Sequence, residues 1–433
     1  MKSWLPQLCK YILIYLISLI ALTMFIVGSA MIPEEKIKSK MLKSAEYMCA
    51  HEVKYMVLNF DPSSEIDLCT DCVTLSIAYQ LDEHHPFISS MWTSFYGIPN
   101  QQMNQYLLES IKEDLPADHE YLRYWHGSAA LMRYLHLMMS IDSIYLLNAI
   151  LIFTLAVVLI RILLRNKYRW EAVSFIIAMV IVNIWYVPLC LEYTYSILCM
   201  LIASLAGIRI ALKRRDNLIG PLFLVSGIAT VYFDFLTTET LSLLIPLLFI
   251  LAIKRRNKCT GSGVALTFKC CVLWGIGYLG MWASKWIVAS VILQENVMSL
   301  VNSHINERLG APVSGLSFGQ YALAAIGKNL KALFPYHYGI WGAVLILVII
   351  LVAVIFPTLT NRLRLRTNIN YKSILLYMLL SVIPIIRFVI LRNHSYIHYF
   401  FTHRALASSI VAICFILGEL VEINPRKAVT HSG

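Results

Sequence analysis

Ten apolar runs, each about 15–21 residues long and nearly free of charge, divide this sequence, and short clusters of Lys and Arg punctuate them. A membrane-crossing helix needs about 20 mostly apolar residues, fewer where neighbouring helices shelter it. The runs cover residues 11–31, 143–160, 172–191, 194–209, 217–233, 239–253, 264–284, 339–357, 373–391 and 405–421. Hydrophobic residues make up 58% of the 433 and charged residues 14%, against about 45–50% and about 25% in soluble proteins. A water-soluble globule could not bury that much apolar surface. The expected fold class is therefore all-α, a polytopic membrane helical bundle of about ten transmembrane helices.

Charge sets the expected topology. Residues 32–143 hold 16 of the 25 acidic residues and 8 of the 36 basic ones; the other 321 residues hold 28 basic and 9 acidic. The basic excess sits between apolar runs, at Arg161–Arg169, Arg209–Arg215, Lys254–Lys258 and Arg362–Arg366. Cytoplasmic loops look like this under the positive-inside rule. A nucleic-acid groove would interleave basic and aromatic residues on one face, so no nucleic-acid partner is expected. Residues 11–31 follow Lys2 and Lys10. Gly28-Ser29-Ala30 fits a signal-peptide cleavage site, but 21 uncharged residues with further spans behind them favour a signal anchor. Either reading sends residue 32 outward. The even count puts both termini in the cytoplasm, with the chain multi-pass in the membrane.

The expected organisation is a first transmembrane helix over 1–31, an extracytoplasmic loop over 32–143, and a nine-helix bundle over 144–433. Outer loops lie near 233–240, 286–338 and 392–404. The first loop should hold helices around 33–58 and 102–139. Its end, 121–139, should be a helix lying along the membrane interface. A short helix is expected over 318–333. Cys69-Thr-Asp-Cys72 has disulfide spacing in an oxidising compartment. Most other cysteines fall in apolar runs, where they act as small hydrophobes.

No soluble-enzyme motif is present: no phosphate-binding glycine loop, no Gly-x-Ser-x-Gly elbow, no His-Glu-x-x-His. What remains is a set of ionisable residues near the outer surface, where their cost makes them functional candidates. Asp71 precedes the apolar stretch 73–79 and is either its helix cap or a general base. Asp234 and Glu239 bracket a tight turn. There Thr237 or Thr238 would cap the next helix, with Glu239 in its first turn. Asp234 lies between two aromatic residues, where desolvation raises its pKa or demands a cation. Arg392, His394, His398, His403 and Arg404 fall within 13 residues. They suit either a lipid-phosphate pocket or an interfacial aromatic-basic belt. His394 and His398 would share a metal only if helical, and no acidic third ligand is near in sequence. No cofactor and no metal site is expected. Arg123, Trp125 and His126 would rim the same pocket. Lys285, between Trp282 and Trp286, is an interfacial anchor or a phosphate ligand.

In plan these features resemble the GT-C-type membrane glycosyltransferases: many spans, a large first outer loop with helices lying on the membrane, and an outward-facing site. That resemblance implies a polyprenyl-phosphate-linked sugar or membrane lipid as partner. It also implies a carboxylate base, Asp71 or Asp234, and phosphate binding by Arg392, Arg404 and Arg123. Family members place the acidic residue soon after the first span. Here Glu34 and Glu35 stand there, and Asp71 follows about 40 residues after the span. The base is therefore unassigned. The stretches Ile66–Leu75, Arg123-Tyr-Trp-His-Gly127, Tyr232–Thr240 and His394–Arg404 also resemble a family of bacterial polytopic membrane proteins, which implies placement in a bacterial cytoplasmic membrane and no reaction. A transporter or flippase, or a non-catalytic component of envelope polysaccharide assembly, is the competing reading.

Overall fold

The computed structural model describes residues 4–59, 61–100, 102–259, 262–298, 316–333 and 363–423. It is all-α apart from two short antiparallel strand pairs, Lys54–Met56 with Glu65–Asp67 and Leu363–Leu365 with Val421–Ile423. Among the described residues seven helical segments are long and apolar enough to cross a membrane: Leu5–Ala30, Ile141–Arg165, Leu191–Leu212, Asp216–Phe233, Gly263–Leu293, Tyr371–Ile390 and Tyr399–Leu420.

Three of the ten expected runs are not among these seven. The run 172–191 is apolar throughout, but its backbone breaks. Helix α8 (Arg169–Ile181) ends, Asn183 takes a left-handed φ of 53°, and a 3-10 segment Ile184–Leu189 containing Pro188 follows. Asn tolerates that conformation and Pro ends a helix. The run 239–253 forms α11 (Leu241–Arg256), 16 residues long and buried from Leu241 to Ile253. A helix that is apolar all round and enclosed by others can be short. The run 339–357 lies outside the described residues.

The first loop is a helical cap on one end of the bundle. It contains α2 (Glu34–Cys49), α3 (Leu68–Gln80), α4 (Pro86–Trp92), α5 (Met103–Glu113) and α6 (Gly127–Leu135). The expected helix over 33–58 stops at Cys49 and gives way to a strand. The expected interfacial helix over 121–139 shrinks to α6, whose residues Gly127–Ala130, Met132 and Arg133 are buried. Helix α6 is sandwiched between the first span and α3 instead of lying free on the surface. All ten cysteines are free. Cys69 and Cys72 sit within α3 and form no bridge. The expected helix near 318 forms as Phe318–Lys331, with a Ser317–Gln320 capping box.

Two further features fix the bundle. Helices α10 (Ile219–Phe233) and α12 (Gly263–Leu293) cross through paired glycines. A Cβ on Gly227 would overlap the Trp274 carbonyl, and one on Gly277 would overlap the Leu224 carbonyl. Small residues bring helix backbones close in this way. Helix α12 has 31 residues, which is about 46 Å at about 1.5 Å per residue, well beyond a hydrocarbon core of about 30 Å. Its far end therefore reaches the cap. The basic clusters Arg165, Arg209 and Lys254–Arg256 sit in the last turns of α7 (Ile141–Arg165), α9 (Leu191–Leu212) and α11. Those ends lie opposite the cap.

Candidate functional site

The cap meets the bundle at a buried cluster of carboxylates. Asp67 is the N-cap of α3, accepting the N–H of Cys69 at 2.9 Å, and it pairs with Lys54 Nζ at 2.9 Å. Asp71 lies one turn into α3 but does not cap it. Its carboxylate crosses to the start of α9, accepting the N–H of Leu191 at 2.8 Å and of Glu192 at 3.3 Å, and the Tyr145 hydroxyl at 2.6 Å. A carboxylate is stabilised by the free N–H groups and positive dipole end of a helix. Even so, burial pushes Asp71 up to about 6, against the hydrogen bonds from Leu191, Tyr145, Cys190 and Glu192 that pull it down.

The turn after α10 supplies the second half. Asp234 accepts the N–H of Thr237 at 3.0 Å and also the Thr237 hydroxyl. Burial, then the neighbouring Glu239, push it up to about 7, with Thr237 and Arg387 acting the other way. Thr237 and Thr238 do not cap α11. Their hydroxyls meet Ser196 on α9 at 3.1 and 2.7 Å, and Thr240 occupies the cap position. Arg387, near the end of helix Tyr371–Ile390, donates to Glu239 at 2.9 and 3.3 Å and to Ser395 at 3.0 Å. It also donates to the carbonyls of Leu236 and Thr237.

Glu192, in the first turn of α9, stands between these halves within electrostatic reach of Asp67, Asp71 and Asp234. Lys54 balances Asp67 and Arg387 balances Glu239. Asp71 has the α9 N-terminus and Asp234 has Thr237. Glu192 has no such arrangement: its Oε2 is buried and accepts no hydrogen bond. That leaves one buried carboxyl oxygen with an open acceptor position among other carboxyls.

The remaining sequence-selected residues are placed as follows. Arg404 is buried, donating to the carbonyls of Phe400 and Ser63 at 3.2 and 2.9 Å and lying 4.8 Å over the Tyr193 ring. It ties the cap to the last span. Lys285 is buried and donates to the carbonyls of Ser90 and Met91, both at 3.0 Å, which closes the end of α4. Trp125 is buried, donating to the Met281 carbonyl at 2.6 Å. His126 is buried with a left-handed φ of 55°, its ring 2.7 Å from the Tyr121 carbonyl. Burial and the charge of Lys285 lower it to about 3, so it is neutral at pH 7. Arg123 stacks over Tyr121 and Tyr124 at 4.6 and 5.3 Å, and its carbonyl accepts from Trp282 and Trp286. Arg392 is half-buried and lies 4.3 Å over the Phe318 ring, apart from the carboxylates. His394 and His398 pack ring to ring at 4.8 Å and both contact Phe401. His403 is buried against the Tyr399 carbonyl at 3.1 Å.

The structure thus brings Asp71 and Asp234 to Glu192, sets Glu239 beside Asp234, and places Arg404 beside Tyr193, the neighbour of Glu192 in sequence. It does not bring Arg392, Arg123, Trp125, His126 or Lys285 to that cluster. In the sequence Glu192 marks only the end of the apolar run 172–191, and Arg387 stands with Arg392 and Arg404 as an arginine near the outer surface, its partner Glu239 unseen. An ionisable residue at the edge of an apolar run was itself the signal. Among the described residues no three His, Cys, Asp or Glu side chains are placed to hold a metal ion.

Fold and site define an α-helical protein with seven helices, among the described residues, long and apolar enough to cross a membrane, and a helical cap over a buried acidic cluster. Comparison with protein-family models, with curated proteins and with solved structures finds no match to this chain.

Proposed function

We propose that this protein is a membrane transferase of the GT-C plan that takes a sugar from a polyprenyl-phosphate donor beneath its helical cap. Glu192 is the general base and Asp234 its partner. The observation that carries this reading is the buried Glu192 Oε2, which accepts no hydrogen bond yet lies among other carboxyls where cap and bundle meet. Inverting glycosyl transfer needs a carboxylate to accept the acceptor's proton, and a base with an open acceptor atom suits that task. Asp71, with both oxygens engaged, positions α9. Donor phosphate binding falls to Lys54, a partly exposed cation at the edge of the cluster that keeps further donors beyond its contact with Asp67. It can lend charge to a leaving phosphate, whereas Arg404 and Lys285 are committed to carbonyls. The same reading takes ten crossings, the cap outside and both termini in the bacterial cytoplasm. Its support is that the basic clusters of α7, α9 and α11 all lie at the end opposite the cap.

The test is transfer from a labelled polyprenyl-phosphate sugar by the protein reconstituted in liposomes. Glu192→Gln should lower turnover by about 100-fold or more, with Asp71→Asn much milder. Full activity in Glu192→Gln sinks the assignment. The burial of Asp71, Glu192 and Asp234 also favours a second reading, a transporter or flippase whose carboxyls carry protons. In that case the same liposomes show proton-coupled uptake or lipid flipping that Glu192→Gln abolishes, and no sugar transfer.

A further inference from the structure

At the end opposite the cap, a cleft of about 600 Å³, ample for a lipid headgroup, opens between α11, α12 and helix Tyr371–Ile390. Its walls include Lys254, Arg255 and Lys372 against a single lining carboxylate, Asp216. Asp216 bonds Lys254, and Glu419 pairs with Arg255. An ammonium and a guanidinium each keep further donors after one such contact. Two long helices also begin at this cleft, α12 at Gly263 and the other at Tyr371. Each adds the partial positive charge of a helix N-terminus, about half an elementary charge. The cleft floor is therefore net positive.

Its flanks are apolar and face outward. Val264 and Phe268 on α12 are 62% and 71% exposed, and Leu375 and Leu379 on the facing helix are 58% and 60% exposed. A cationic floor between two lipid-facing helix surfaces matches one kind of molecule, with an anionic head and apolar tails. We infer that this cleft binds an anionic phospholipid, its phosphate at Lys254, Arg255 and Lys372 and its chains along the exposed faces of α12 and helix Tyr371–Ile390. Zwitterionic lipids carry the same phosphate, but their ammonium group would meet this positive floor unfavourably. Basic pockets between membrane helices hold anionic headgroups in this manner. The site stands independently of the transfer chemistry at the other end.

The experiment is native mass spectrometry of the full chain in detergent, titrated separately with phosphatidylglycerol, phosphatidylcholine and inorganic phosphate. Phosphatidylglycerol should be retained in preference to phosphatidylcholine. Lys372→Gln, at an exposed position, should weaken that retention about five-fold, the effect of one basic residue near an anionic lipid. Asp216→Asn should strengthen it, a gain that misfolding cannot mimic. Equal retention of the two lipids, or displacement of phosphatidylglycerol by millimolar inorganic phosphate, overturns the proposal. So does indifference to both substitutions.

Discussion

The carboxylate of Asp71 lies 2.8 Å from the backbone nitrogen of Leu191, 120 positions along the chain. Through that contact the cap supplies the anion at the N-terminus of α9 and seats itself on the bundle. Removing a helix-capping carboxylate costs about 1–2 kcal/mol, and leaving buried donors unpaired costs about 1–3 kcal/mol. Asp71→Ala should therefore lower the thermal unfolding midpoint of the detergent-solubilised protein clearly. Asp71→Asn, which keeps an acceptor oxygen, should lower it less. A wild-type midpoint in Asp71→Ala means that the cap is held by other contacts.

Stability should fall as pH rises from about 4 to about 7. Asp71 and Asp234 stand at about 6 and about 7, above the ordinary 3.8. The folded state thus keeps protons that the unfolded chain releases, and the slope of stability with pH is negative across that window. The contribution is complete below about pH 4 and lost once pH passes the two raised values. Asp234→Asn should remove its share of the slope. Unfolding midpoints at pH 4.5 and 7.5 measure this, and an unchanged slope in the variant shows that Asp234 is solvated.

Much of this architecture is legible in the sequence because lipid solvation and the positive-inside rule act on local runs. The helix of residues 141–165 and the basic clusters that close α7, α9 and α11 are readable from composition alone. Hydropathy cannot show that the backbone breaks at Asn183, because 172–191 stays apolar through the break. Nor can it show that α11 is enclosed by protein, since a lipid-facing and a buried apolar helix look alike. For the site, the sequence displays the scarce ionisable residues without their partners. Lys285 and Arg404 look like phosphate ligands until the carbonyls of Met91 and Ser63 are found at 3.0 and 2.9 Å. Those contacts span 194 and 341 positions, and no local pattern encodes them.

The glycines of α12 offer an internal control. A Cβ on Gly277 would strike the Leu224 carbonyl of α10, whereas nothing lies within 4 Å of a Cβ on Gly275. Gly275→Ala should be neutral, or stabilising by up to about 1 kcal/mol through helix propensity. Gly277→Ala should push α10 and α12 apart and destabilise by about 1–3 kcal/mol, as overpacking does. Thermal midpoints of the two variants, side by side, check this. Equal midpoints would mean that the two helices do not cross at Gly277.

The Arg387–Glu239 pair should behave as a buried ion pair with additional duties. Its Nε–Oε1 distance is 2.9 Å and both side chains are buried. Removing one partner of such a pair strands a charge and costs about 3–5 kcal/mol. Arg387→Met should be the worse single change, because it also strips donors from the carbonyls of Leu236 and Thr237 and from Ser395. Glu239→Leu should cost less, since those acceptors keep their guanidinium. The double variant leaves no stranded charge and should be less destabilised than the sum of the two, with a coupling of about 0.5–3 kcal/mol. A double-mutant cycle on thermal or denaturant unfolding measures that coupling. Strict additivity would mean that the pair does not form and that the turn at residues 234–240 is held by Asp234–Thr237 and the threonine contacts to Ser196.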